Sequence, residues 1–149
     1  MSELTPHSGP RYDVRIEPVD IGRWRAGNTG TDYVWSFEAD RPGPHVMVNA
    51  VTHGNELCGV IAVDLLLREK VRPKRGRLTL SFANVEAYER FVPGDPTSSR
   101  YVEEDLNRVW SPEVLDGPRD SIELRRARAL RPVVDTVDLM LDIHSMQHD

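Results

Sequence analysis

Two histidines and a glutamate stand where one metal ion could use them together. His53 closes an apolar, β-branched run, Val46-Met47-Val48-Asn49-Ala50-Val51-Thr52, and Glu56 follows three residues later. The run reads as a buried strand. An amphipathic helical pattern starts directly behind it, from Leu57 to about Arg68. The spacing predicts His53 at the C-terminal end of a strand and Glu56 in the first turn of a helix, with Gly54 permitting the tight turn between them. Ligand sites in open α/β sheets lie at such strand ends. A third ligand is available in His144, near the end of a second strand-like run, Val137 to Ser145 (VDLMLDIHS). Two histidines and one carboxylate form the protein part of many catalytic zinc sites, where water takes the fourth position. Zinc is a redox-inert Lewis acid that polarises a carbonyl and lowers the pKa of bound water. About one zinc per chain is the expectation.

A His-x-x-Glu spacing alone recurs by chance, and a histidine at a strand end is commonly a satisfied core or surface residue. Two predicted strand exits, each carrying its histidine, are what single this set out. Asp142 lies two residues before His144, on the same face of its strand, where it could orient the imidazole by a hydrogen bond; a solvent-facing strand end is the plainer alternative. His7, His45 and His148 read as bystanders. A second cluster, Arg100, Asn107 and Arg108, suits an anionic group, because guanidinium binds carboxylate bidentately and an amide adds directional donors. Surface salt bridging with Glu103, Glu104 and Asp105 is the plainer reading of those residues.

The elements that must position these groups follow from the pattern. Tyr12 to Val19 and Tyr33 to Ala39 alternate apolar and polar residues and read as half-exposed strands, paired as an antiparallel edge. Arg41-Pro42-Gly43-Pro44 breaks the chain before the central strand at 45–53. The helix from Asn55 carries Leu57, Val60, Ile61, Val63, Leu65, Leu66 and Leu67, a broad apolar face for packing on a sheet. Arg77 to Asn84 is the next strand, so strand, helix and strand form a βαβ unit with a parallel pair and a right-handed crossover. Residues 85–110 read as a long loop, the kind that is often functional. Asp120 with Glu123 looks like a capping box for a helix that Pro132 should end or kink. Residues 1–11 read as a mobile lead-in, and no internal repeat is visible.

Composition bounds the rest. The 149 residues suffice for one domain with one core, and 29% charged against 39% hydrophobic is an ordinary globular balance. A net charge of −5 gives no support to general nucleic-acid binding. Basic residues around 68–77 and 125–131 read as solvated faces. Cys58 is the only cysteine, so neither an intrachain disulfide nor a thiolate cage is available. Asp64 interrupts the longest apolar stretch, and the polar, proline-bearing start is no signal peptide. No membrane partner and a cytoplasmic location are expected.

Taken together, His53-Gly54-Asn55-Glu56, Arg100-Tyr101, Asp105-Leu106-Asn107-Arg108 with Trp110, and Asp142-Ile143-His144-Ser145 resemble the succinylglutamate desuccinylase/aspartoacylase family, which is related to the zinc carboxypeptidases. The motifs occur in the family's order over about residues 45–145; each is weak alone, and the set is specific. The resemblance implies an α/β fold, a three-layer α/β/α sandwich around a mixed, largely parallel sheet, truncated at its C-terminus. It makes His53, Glu56 and His144 the zinc ligands, and Arg100 the residue that polarises the scissile carbonyl and steadies its oxyanion. Asn107 and Arg108 would hold the substrate's free carboxylate, and the reaction would be amide hydrolysis in a small N-acyl amino acid. One departure stands out: the family's catalytic glutamate lies well downstream of the last ligand, and Glu86, Glu103 and Glu104 do not match it. Residues 12–149 are thus expected to be the N-terminal part of a hydrolase domain, weakly active or inactive alone and with some tendency to form homo-oligomers. A peptide-cleaving zinc carboxypeptidase and a catalytically inactive metal-binding fragment are the alternatives.

Overall fold

The computed structural model describes residues 15–145. The lead-in at 1–11, His7 and His148 lie outside them. Four strands form one sheet in the order β1-β3-β2-β4. In chain order they are β1 (Val34–Glu38), β2 (His45–Ala50), β3 (Arg77–Phe82) and β4 (Leu139–Ile143). The helices are α1 (Leu57–Arg68), α2 (Val85–Tyr88), α3 (Pro112–Leu115) and α4 (Ile122–Val134). β2 is parallel to both β3 and β4, and β1 runs antiparallel to β3. The sheet is therefore mixed and largely parallel, as expected.

Side chains alternate across the sheet. Val48, Leu80 and Leu141 stand level on adjacent strands, and so do Ala50, Phe82 and Ile143. This apolar face takes α1, whose Val60, Val63 and Leu67 join Ala50, Leu80 and Phe82 in the larger core. Gly59 marks the closest approach: a Cβ there would lie 3.2 Å from atoms of both Ala50 and Ile143. Asp64, also buried on α1, accepts from the Trp24 indole at 2.8 Å and pairs with Arg68 at 2.9 Å. A second core joins Leu124, Ala127 and Leu130 of α4 to Val34, Ala83, Leu106, Val109 and Leu115.

Several expectations need correction. Arg15 to Val19 forms no strand, and β1 pairs with β3 instead. That segment is held by side chains: the Val19 carbonyl accepts from the Tyr88 hydroxyl at 2.8 Å, and Trp24 meets Trp35 edge to face at 6.0 Å. The cap of α4 is Ser121, whose hydroxyl accepts the Leu124 N–H at 3.0 Å, whereas Asp120 pairs with Arg125. The helix runs on to Val134, two residues past Pro132, although the proline has no N–H to donate to the carbonyl four residues back. The basic run of α4 is more than a solvated face. Arg126 is half-buried and donates to the carbonyls of Phe82, Ala83 and Asp32 at 2.8, 2.7 and 2.9 Å, tying α4 to the end of β3; desolvation pushes its pKa down to about 10. Among the described residues, no helix is long and apolar enough to cross a membrane.

Candidate metal centre

The chain leaves β2 through Val51, whose φ of 57° is unusual for a β-branched residue and whose side chain is wholly buried. Thr52 and His53 follow in the turn, so His53 sits three residues past the strand end rather than on it. Glu56 occupies the position before the first helical residue of α1, and its N–H closes the turn onto the His53 carbonyl at 3.1 Å. Gly54 is not in the positive-φ region; its role is space. A Cβ there would lie 2.2 Å from the Ser99 carbonyl oxygen and 2.4 Å from the Ala87 carbonyl carbon, while its N–H donates to the Arg100 carbonyl at 3.0 Å. The close approach docks the loop bearing Arg100 and Asp105 against the histidine turn. His144 emerges one residue after β4, beside Glu56.

Three ligand atoms from His53, Glu56 and His144 all lie within 4.8 Å of one another. Glu56 Oε1 is 3.2 Å from His53 Nδ1 and 3.1 Å from His144 Nδ1. Its other oxygen is 3.0 Å from His144 Nδ1 but poorly aligned, and is buried with no hydrogen-bond partner. His53 and Glu56 are each only 3% exposed. Each imidazole is also engaged from behind. His53 Nε2 donates to Asp105 Oδ1 at 2.9 Å, and His144 Nε2 donates to Asp142 Oδ2 at 2.8 Å. Each Nδ1 faces Glu56, so both nitrogens of each ring lie against a carboxylate, which only accepts; a metal ion held between the two Nδ1 atoms and Glu56 would leave the ring protons on Nε2, facing Asp105 and Asp142. Two imidazole Nδ1 atoms and a buried carboxylate converge on one point, an arrangement that could hold a metal ion. The N,N,O donor set and the carboxylates behind both rings fit zinc.

Titration follows the same geometry. Burial works against the charged form of Glu56, but its hydrogen bonds with His53 and His144 outweigh this and hold its pKa below the usual carboxylate range. Burial likewise opposes the charged form of Asp105, and His53 with the Asn107 N–H overcomes it. For His144, burial favours the neutral ring, yet Glu56 and Asp142 together raise its pKa.

Asp142 thus stands where the sequence places it, behind His144. Asp105 is the group that sequence reasoning missed. It lies 52 residues from its partner His53 in the chain, so no local spacing reveals it. Arg100 is half-buried and reaches Asp105 at 3.5 Å. Asn107 and Arg108 are exposed on the short 3-10 turn that Asp105 caps through the Asn107 N–H at 2.9 Å. Of the alternative salt-bridge partners, Glu103 turns to the Ile122 N–H and Glu104 to Ser121 and Arg119. His45 lies at the opposite end of β2, bonded to Thr79 at 2.7 Å and to the Thr136 carbonyl at 3.0 Å.

The profile of the succinylglutamate desuccinylase/aspartoacylase catalytic domain matches residues 42–148. An N-acyl-aromatic-L-amino acid amidohydrolase (carboxylate-forming) of Xenopus laevis is 33% identical over 113 residues, covering 70% of this chain and 35% of that protein. Mouse aspartoacylase is 31% identical over 121 residues, covering 74% and 36% respectively. Among solved structures, an aspartoacylase family protein of Mesorhizobium loti superposes with a TM-score of 0.59 at 27% identity, over 76% of this chain and 34% of that one. Murine aminoacylase 3 gives 0.51 at 29% identity, over 71% and 36%. The chain spans about a third of the length of the curated relatives it matches. With the motifs assembled in space and a profile covering most of the chain, this protein belongs to the succinylglutamate desuccinylase/aspartoacylase family.

Proposed function

We propose that the protein serves as a zinc-dependent hydrolase of the amide bond in N-acyl amino acids. The observation that carries this reading is the convergence of His53 Nδ1, His144 Nδ1 and the buried, unpartnered Glu56 oxygen. These residues would hold zinc, which when bound supplies Lewis acidity toward a carbonyl and a more acidic water. Asp105 and Asp142 hold the two rings by their Nε2 protons. Arg100, kept near the centre by Asp105, is available to donate to a developing oxyanion, the electrostatic contribution that often dominates acyl transfer. Asn107 and Arg108 offer their donors to the free carboxylate of the substrate. The amidohydrolases among the relatives favour this over cleavage of peptides.

A proton must still reach the leaving amine, and a positioned acid–base group is worth about 10²–10⁴-fold. Asp105 and Asp142 are engaged on the imidazoles, Glu86 pairs with Arg90, and Glu103 and Glu104 face α4. In our reading the base comes from outside the 149 residues, and these alone turn over little substrate. The test is metal content and hydrolysis together. The purified chain should hold about one zinc per molecule. His53→Ala and His144→Ala should lose it while staying folded; full retention in both removes the site. N-acyl amino acid hydrolysis should appear only when a downstream carboxylate is supplied in a longer chain. Equal turnover with and without that extension would mean a base within these residues.

A further inference from the structure

Ser81, Asn49 and Asp142 stand level on β3, β2 and β4, with Asn49 paired to Ser81 on one side and to Asp142 on the other. Their side chains share one sheet face, in a row that is otherwise the sheet interior. Asn49 and Thr52 are each 3% exposed. Buried polar groups cost stability unless hydrogen-bonded, and here every polar atom is spoken for.

Ser81 donates to Asn49 Oδ1 at 2.5 Å, which fixes the orientation of the amide. Asn49 Nδ2 therefore faces the other way, donating to Asp142 Oδ1 at 2.8 Å and to the Thr52 hydroxyl at 3.1 Å. Thr52 in turn donates to Asp142, 3.0 Å from Oδ1 and 3.1 Å from Oδ2. The remaining direction on Oδ2 accepts the Nε2–H of His144 at 2.8 Å. Two buried donors thus hold one carboxylate, and that carboxylate holds one ring.

We propose that Asn49 and Thr52 are positioning residues for the metal centre: by clamping the Asp142 carboxylate they fix the tautomer and angle of His144, and so aim its Nδ1 at the ion. The proposal rests on the reading of His144 as a metal ligand. It distinguishes the two rings. His144 is held through a relay that begins in the sheet interior, and His53 by Asp105 from a loop.

Zinc affinity by competition with a chromophoric chelator, and the visible spectrum of the cobalt(II)-loaded chain, test it. Thr52→Val and Asn49→Leu should each weaken zinc binding by about 10–100-fold, the usual effect of losing a ligand's orienting partner. Both should change the cobalt spectrum, which a merely structural role would leave alone. Thr52→Ser keeps the hydroxyl and should restore parent affinity and spectrum. Metal-free melting shows which variants are folded; should one unfold, the other decides. Parent-like affinity and spectrum in a folded Thr52→Val or Asn49→Leu overturn the proposal, and so does a Thr52→Ser as weak as Thr52→Val. His53→Ala separates the two readings: zinc lost there but kept in Thr52→Val and Asn49→Leu leaves the site standing and removes only the relay. A parent chain that takes up no zinc removes both.

Discussion

Arg108 and Asp105 sit three residues apart on the same short turn and do different work. Arg108 is exposed, and among the described residues its guanidinium hydrogen-bonds only the neighbouring Asn107 carbonyl, at 3.4 Å, so its donors are available to a ligand. Arg108→Ala should weaken binding of an N-acyl amino acid by about 1.5–3 kcal/mol, the range for a hydrogen bond to a charged group. Calorimetric titration of the zinc-loaded chain checks this, and parent-like affinity would discard the carboxylate role. Asp105 faces inward and grips His53. The candidate metal-centre residues were legible in the sequence because His53 and His144 stand just past strands and Glu56 directly before a helix, where the pattern of apolar residues points. Asp142 was legible because strand alternation relates it to His144. Asp105 was not, since only the folding of a 52-residue excursion brings it behind His53. Asn49 left a fainter sign, a polar residue inside an apolar strand.

The elements hold these residues by close approach and by buried charge. Gly54→Ala forces a methyl group to within 2.2 Å of the Ser99 carbonyl oxygen, so the loop carrying Arg100 and Asp105 must retreat. Overpacking of this kind costs about 1–3 kcal/mol. Zinc affinity should fall with the melting temperature, and a Gly54→Ala chain equal to the parent in both would refute the close contact. The other anchor of that loop is Glu123, wholly buried at the start of α4. It accepts the N–H groups of Val102, Glu103 and Glu104 at 2.6, 3.1 and 3.2 Å and the Asn84 amide at 3.2 Å. Burial alone would raise its pKa, but these donors outweigh burial and bring it below 4.5. The folded-state value is thus the lower one. The stabilisation is complete above about pH 4.5 and is lost as the pH falls through the depressed folded value. Glu123→Gln should cost about 1–3 kcal/mol at neutral pH, because buried donors lose acceptors. It should also flatten the acid side of the stability profile, as urea unfolding at neutral pH and near pH 3.5 would show. Glu123 looked like half of a capping box in the sequence. The competing demand, three loop N–H groups without partners, is invisible until the fold is known.

At the scale of the whole molecule, the α/β class and the parallel β2–α1–β3 unit were readable from periodicity, because hydrophobic spacing follows directly from which face is buried. Strand partners were less so: Tyr12 to Val19 alternates like an edge strand, yet no strand forms over its described part, and β3 takes the place beside β1. The opposite side of the sheet has the larger consequence. β4 pairs only with β2, and its other edge is open among the described residues. Leu139 and Leu141 are 61% and 57% exposed, although they lie on the same sheet face as the buried Leu80 and the half-buried Leu78. α1 leaves them bare, and its own Leu65 is exposed as well. A flat apolar edge strand is a template for pairing with another chain, and fully burying one leucine is worth about 1.5–3 kcal/mol. The 149-residue chain in isolation is therefore expected to self-associate through β4. Sedimentation velocity should show a concentration-dependent dimer or larger species. Leu141→Lys places a charge on the exposed edge and should return the chain to a monomer without loss of zinc, since Asp142 and His144 keep their contacts with Asn49, Thr52 and Glu56. A parent chain that stays monomeric at high concentration, or a Leu141→Lys variant that associates as strongly as the parent, would rule out β4 as the contact.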